Sequence, residues 1–115
     1  MERTHQPLPD DLEYGEFFDY YLREHRKPVT RAFHYVGTIA GTACLVALVV
    51  TLKWWFLPLG LVLGYGAAWI SHFTLERNKP AAFKYPLWSY LSDYRMLFLA
   101  MTGQLGKALR KAGVE

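Results

Sequence analysis

The sequence of 115 residues contains one cysteine, Cys44, and only four histidines. A single cysteine excludes an intramolecular disulfide framework and a zinc site built from cysteines. Four histidines cannot supply the clustered histidine boxes of membrane di-iron desaturases. The sequence also lacks a GxSxG nucleophile elbow and a glycine-rich phosphate-binding loop, which removes two further enzyme classes.

Charge is equally sparse. The net charge is +3, and the basic residues do not form a stripe, so we expect no nucleic-acid partner. A small positive charge suits contact with anionic lipid. The start, MERTHQPLPDDLEYGE, is polar and acidic, unlike a signal peptide. We expect residues 1–9, including His5, to form a flexible tail and residues 10–115 to form a single domain.

Two stretches in the middle of the chain contain no charged side chain. They run from Val36 to Leu52 and from Trp54 to Phe73, with Lys53 between them. Each approaches the roughly 20 residues needed to cross a bilayer. Buried helices of a soluble bundle normally keep a polar face, and these have almost none. The sequence therefore predicts an all-α fold centred on an integral membrane helical hairpin; a soluble or oligomeric core is the alternative.

Helices are also expected on both sides of the hairpin. Asp10 or Asp11 can cap a first helix that runs to about Arg26, and Pro28 ends it because the residue before a proline is displaced from helical geometry. A last amphipathic helix is expected from Pro86 to about Lys111, packed beside the hairpin or lying in the membrane interface. Its apolar face consists of Leu87, Leu91, Tyr94, Phe98 and Met101.

Lysine and arginine also predict the orientation of the hairpin. Basic residues precede the first stretch and follow the second, whereas only Lys53 lies in the connection. Positive residues favour the cytoplasmic side, so both termini are expected in the cytoplasm. The membrane would be the inner membrane in a bacterium and the endoplasmic reticulum in a eukaryote.

The hairpin brings two histidines to one depth. His34 lies 19 residues before Lys53, and His72 lies 19 residues after it; equal rise along antiparallel helices returns them to the same level. Each histidine ends a row of small residues, which is where membrane helices approach closely. These rows are Gly37 and Gly41 on the first helix and Gly60, Gly64 and Ala68 on the second.

Two further residues can join this pair. His25 lies on the apolar face of the first helix, and the bend at Pro28 can fold it toward His34 and His72. Glu76 lies one turn beyond His72 on the same face. Three imidazoles and a carboxylate form a plausible metal site, because neutral imidazole suits iron, zinc, copper or nickel.

Other interpretations stay open from the residues alone. The histidines can be interfacial residues that reach water, or His34 and His72 can be axial ligands of a haem. The protein can also be a structural membrane protein without catalysis. Glu76 can instead form a salt bridge with a neighbouring base. The candidate bases are Arg77, Lys79 and Lys84.

Two segments resemble a known family. YYLREHRKPVTRAFHYVGT, which contains His25 and His34, and GYGAAWISHFTLERNKPAAFKYP, which contains His72, Glu76 and an NxPA element, resemble the two blocks of the Mpo1-like family. The resemblance covers Tyr14 to Leu97, and the tail YPLWSYLSDYRMLF is typical of a short branch. Two positions depart from the pattern: Ser71 stands where glycine is expected, and Lys27 where asparagine is common.

The resemblance implies a function. The family's characterised member is an iron(II)-dependent dioxygenase of the endoplasmic reticulum, which shortens 2-hydroxy fatty acids by one carbon and releases carbon dioxide. By this resemblance, His25, His34 and His72 are the expected iron ligands, and dioxygen and a 2-hydroxy fatty acid are the expected substrates. Arg31, Arg77 or Lys79 can pair with the substrate carboxylate, although interface anchoring is an equal alternative for them. A homo-oligomer is compatible with the sequence.

Overall fold

The computed structural model describes residues 13–80 and 83–114, whose regular secondary structure is entirely helical. The predicted all-α class is thus confirmed. The predicted tail 1–9 and the proposed caps Asp10 and Asp11 lie outside the described residues. The helices are α1 (Tyr14–Arg23), α2 (Pro28–Thr51), α3 (Phe56–Ser71), a π-helical turn (His72–Glu76), α4 (Pro86–Met101) and α5 (Leu105–Ala112).

Two predicted helix boundaries were wrong. The first helix ends at Arg23 rather than Arg26, because the backbone N–H of His25 bonds the Leu22 carbonyl in a tight turn at 3.0 Å. His25 therefore follows α1 and does not lie on its face. The last helix is divided in two, since Gly103 adopts a left-handed φ of 78° between α4 and α5; glycine reaches this conformation without the penalty that a Cβ imposes.

Backbone contacts divide the chain into two compact units. The hairpin unit comprises Lys27–Pro80, and the flanking unit comprises the chain up to Arg26 together with the chain from Ala81 onward. The single domain expected from the sequence stays a prediction.

The hairpin unit is built on close contact between α2 and α3. A Cβ placed on Gly37 would lie 3.0 Å from the Gly64 carbonyl oxygen, and one placed on Gly60 would lie 2.9 Å from the Cys44 Cβ. Backbones approach this closely only where side chains are absent. The small residues that were expected to mark the contact therefore lie in it, and α2 and α3 run antiparallel as predicted.

Most of the hairpin surface remains outside this contact. The segments Pro28–Thr51 and Phe56–Glu76 are long and apolar enough to cross a membrane, and only 17% and 11% of their most apolar windows are buried. A helix in the core of a soluble protein would be mostly buried. Exposed aliphatic and aromatic side chains over two long helices are instead typical of a surface that faces lipid.

The flanking unit joins α1 to α4 and α5. The Tyr14 hydroxyl lies 2.9 Å from the Ser92 hydroxyl, and the Tyr21 hydroxyl donates to the Asp93 carboxylate. Helix α4 is consequently inverted: Ser89 and Ser92 are buried, whereas the apolar face that was expected to pack or enter the interface is largely exposed. Its exposed fractions are Leu87 66%, Leu91 49%, Phe98 59% and Met101 75%.

Candidate metal centre

His34 and His72 meet where α2 and the end of α3 lie side by side. Their Nε2 atoms are 3.2 Å apart, and the rings meet edge to face at 86°. Both side chains are buried. The matched depth predicted by counting residues from Lys53 is confirmed, because the histidines face each other across the hairpin.

Asn78 determines which nitrogen of His72 carries the proton. The Nδ1 of His72 lies 2.7 Å from the Asn78 side-chain oxygen, and an amide oxygen can only accept. Nδ1 is therefore the donor, and Nε2 of the neutral ring presents a lone pair toward His34. Since two lone pairs repel at 3.2 Å, a proton on His34 or a cation must lie between the two Nε2 atoms. Such an outer hydrogen bond is the usual support of a metal-bound histidine.

The chain path after His72 places this asparagine. The π-helical turn begins at His72, and single π turns are frequent at functional sites. Arg77 then takes a left-handed conformation with φ 59°, and the Asn78 backbone N–H returns to the His72 carbonyl at 3.0 Å. The chain folds back on the residue that starts the turn, so the Asn78 side chain can reach the imidazole.

His25 is prepared in a similar way by the segment that ends α1. Its Nδ1 lies 2.5 Å from the Tyr21 backbone carbonyl oxygen, which can only accept, so Nδ1 carries the proton and Nε2 has the lone pair. The Tyr21 ring stacks on the imidazole with centroids 4.1 Å apart. His25 is 1% exposed, so its ring is held by packing as well as by this hydrogen bond.

The three histidines form one set. One ligand atom from each of His25, His34 and His72 lies within 4.8 Å of the others, and all three residues are buried. Within the described chain they are the one group of three or more His, Cys, Asp or Glu that could hold a metal ion. Three buried imidazoles this close together could bind a metal ion.

The spacing of the pair fits two ligands on the same side of an ion. With metal–nitrogen bonds of about 2.0–2.1 Å, two nitrogens 3.2 Å apart subtend about 100° at the metal. Axial ligands of a haem lie opposite each other and would be about 4 Å apart at the same bond length. The geometry thus favours a compact non-haem site over the haem alternative.

Comparison with known proteins gives one significant match. The family described as 2-hydroxy-palmitic acid dioxygenase Mpo1-like matches residues 12–105. The chain belongs to the Mpo1-like family. No curated protein and no solved structure matches significantly. All three histidines and Asn78 lie inside the region that matches the Mpo1-like family.

Within this Mpo1-like chain, Glu76 is used differently from the metal ligand that the sequence suggested. Its Oε2 accepts the Lys27 backbone N–H at 2.6 Å. Lys27 is the residue before α2, where backbone N–H groups lack helical partners and a carboxylate interacts favourably with the helix dipole. Glu76 therefore joins the π-helical turn to the start of α2 and supports the His34–His72 pair from one side.

The basic residues proposed to bind substrate occupy the same region of the hairpin unit. Arg31 is partly buried on α2, whereas Arg77 and Lys79 are exposed after the π-helical turn. Their role in binding a carboxylate stays a prediction. The sequence interpretation did not assign a role to Asn78; an amide six residues after a candidate ligand was the signal that was available.

Proposed function

We propose that this protein is a membrane-bound, non-haem iron(II) dioxygenase that converts a 2-hydroxy fatty acid to the fatty acid one carbon shorter, with release of carbon dioxide. The family description supports the reaction and the substrate class. The observation that carries the proposal is the buried set of His25, His34 and His72, with a lone pair on Nε2 fixed in two of them by carbonyl acceptors.

The donor set suits iron(II). Neutral imidazole binds divalent iron, and three protein ligands leave coordination positions open. When bound, iron(II) would supply the reaction with dioxygen and a chelating site for the carboxylate and hydroxyl of the substrate. The chain's own contribution is to hold three ligands that need not lose a proton, with Asn78 and the Tyr21 carbonyl fixing two of the rings.

The proposed reaction balances without a further reductant. The C1–C2 bond of the 2-hydroxy acid breaks, and C1 leaves as carbon dioxide. C2 is oxidised from an alcohol to a carboxylic acid, and dioxygen accepts the four electrons. One fatty acid, one carbon dioxide and one water account for every atom of the 2-hydroxy acid and dioxygen. The protein therefore needs no second redox partner.

The hairpin gives a fatty acid a route to the site. The outer surfaces of α2 and α3 are apolar and exposed, which fits a bilayer around them, and the histidines lie near the ends of both helices away from the Lys53 connection. An acyl chain can stay in lipid while its head group reaches this level. Arg31, Arg77 or Lys79 would then pair with the carboxylate, as the sequence suggested.

The experiment is a reaction with 2-hydroxy-palmitic acid labelled at C1. Purified protein with iron(II) and dioxygen should release the label as carbon dioxide and form an unlabelled 15-carbon fatty acid, identified by mass spectrometry. Palmitic acid, which lacks the second chelating oxygen, should bind without reacting. Label retained in the fatty product, or equal turnover without dioxygen, would reject the proposal.

A further inference from the structure

Thr30 presents an unusual buried hydroxyl. Its side chain is fully buried, yet its Oγ1 has no hydrogen-bond partner among residues 13–80 and 83–114. Burial of a hydroxyl without a partner is unfavourable, and such groups are rare enough in folded proteins to need an explanation. A ligand that supplies the missing partner is one.

Other threonines of this chain show what Thr30 lacks. Thr51, Thr74 and Thr102 each donate to the carbonyl four residues earlier in their own helix, which is the common solution for a helical threonine. Thr30 lies in the first turn of α2, which begins at Pro28. The carbonyl four residues before it belongs to Arg26, outside the helix, and this internal solution is not used.

The position of Thr30 on α2 relates it to the candidate metal centre. Lys27, Thr30 and His34 are spaced three and four residues apart, so they share one face of the helix. The two ends of that face contact the π-helical turn: the Lys27 N–H bonds Glu76, and the His34 Nε2 meets His72. Thr30 therefore lies between these contacts, one turn from a candidate ligand.

We propose that the Thr30 hydroxyl binds an oxygen of the substrate head group, the carboxylate or the 2-hydroxyl of a 2-hydroxy fatty acid. This inference rests on the proposed function and adds a substrate-binding residue to it. A hydroxyl can donate to a carboxylate and can either donate to or accept from another hydroxyl. Thr30 would thus orient the head group beside the three histidines without binding the metal itself.

The test compares Thr30→Val, which keeps the shape but removes the hydroxyl, with Thr30→Ser, which keeps the hydroxyl. Dissociation constants are measured by calorimetry on full-length, metal-loaded protein, with 2-hydroxy-palmitic acid and palmitic acid as probes. Thr30→Val should weaken binding of 2-hydroxy-palmitic acid by about 10- to 100-fold, the range for a hydrogen bond to a charged group. Thr30→Ser should restore most of the affinity. Metal content and melting temperature should be unchanged or higher in Thr30→Val.

Palmitic acid distinguishes the two oxygens. If Thr30→Val weakens both acids equally, the hydroxyl binds the carboxylate; if it weakens only the 2-hydroxy acid, it binds the 2-hydroxyl. Ser89→Ala is the matched control, because Ser89 is the flanking unit's buried hydroxyl without a described partner, and it should leave both affinities unchanged.

The outcomes also separate this inference from the proposed function. Unchanged affinity in Thr30→Val would overturn the role of Thr30, even if wild-type protein turns over the substrate. Wild-type protein that binds the acid in a Thr30-dependent way without releasing labelled carbon dioxide would reject the reaction and retain the binding role. Wild-type protein that neither binds nor reacts would overturn both, as would metal loss in Thr30→Val, which would make its role structural.

Discussion

The Nε2 atoms of His34 and His72 lie 3.2 Å apart, although 38 residues separate them in the chain. The relationship follows from the hairpin: two helices of similar length leave Lys53 in opposite directions and return the histidines to one level. The Asn78 bond to Nδ1 of His72 then directs its lone pair at the partner. A metal ion between these nitrogens would replace a proton and relieve the repulsion of two lone pairs.

Asn78→Ala should weaken metal binding by about 10- to 100-fold, the usual effect of losing an outer hydrogen bond to a ligand. The physical reason is that His72 would no longer be held in the tautomer with a lone pair on Nε2. Asn78→Asp keeps an acceptor oxygen and should retain affinity. Competition with a calibrated chelator measures the change. Equal affinities in wild type and Asn78→Ala would show that the hydrogen bond does not support the site.

Gly37→Ala and Gly60→Ala should separate α2 from α3, because the added methyl groups would lie 3.0 Å and 2.9 Å from their nearest neighbours. Overpacking of this kind costs about 1–3 kcal/mol, which a lower melting temperature in detergent would reveal. Gly66→Ala, which meets nothing within 4 Å, is the control and should be neutral or slightly stabilising. Equal stability of all three variants would contradict the packing described above.

The roomier glycines need a larger side chain for the same effect. A Cβ on Gly41 or Gly64 has its nearest neighbour at 3.4 Å or 3.6 Å, which is ordinary contact, so alanine should be tolerated there. Gly41→Leu or Gly64→Leu should still separate the helices and loosen the metal site without changing a ligand. Variants with leucine that keep full metal content and activity would show that these rows do not determine the contact.

Arg77 can be tested for two roles at once. Its left-handed φ of 59° costs a non-glycine residue about 1–2 kcal/mol, so Arg77→Gly should preserve the turn and the metal, whereas Arg77→Val should destabilise both. If the guanidinium also binds the substrate carboxylate, Arg77→Gly should raise the KM for 2-hydroxy-palmitic acid. An unchanged KM in Arg77→Gly would limit this residue to the turn, and Lys79→Ala would then test the neighbouring base.

Labelling can test the orientation of the hairpin. A Lys53→Cys substitution in a Cys44→Ser background should react with a membrane-impermeant maleimide added outside intact bacterial cells that express the protein in the inner membrane, because Lys53 is expected opposite the cytoplasm. Arg3→Cys in the same background should react only after the cells are lysed. Labelling of Arg3→Cys alone in intact cells would invert the orientation.

Much of the hairpin could be predicted from the sequence because its determinants are regular. Two uncharged stretches, one lysine between them and glycines at helical spacing predict the antiparallel pair and the level of His34 and His72. Helix ends were harder. Whether α1 stops at Arg23 or Arg26 depends on one turn of hydrogen bonds, and the break at Gly103 depends on a single left-handed residue that a helical pattern of apolar residues conceals.

The surroundings of the histidines depend on local geometry that spacing does not reveal. A regular helix would carry Glu76 onto the face of His72, which suggested a ligand. The π-helical turn and the left-handed Arg77 instead bring Asn78 to His72 and Glu76 to the start of α2. Thr30 resembles any other helical threonine in the sequence; only its burial and the absence of a described partner distinguish it.

The central claim is that His25, His34 and His72 hold one iron ion, and metal analysis of protein purified gently in detergent tests it most directly. Under reducing conditions we expect about one iron per chain, no Soret absorption, and loss of iron when any of the three becomes alanine. His5→Ala should retain the iron, and Glu76→Ala should lose less than any ligand variant, because Glu76 supports the site through Lys27. Full iron content in the histidine variants, or equal loss in His5→Ala, would contradict the account.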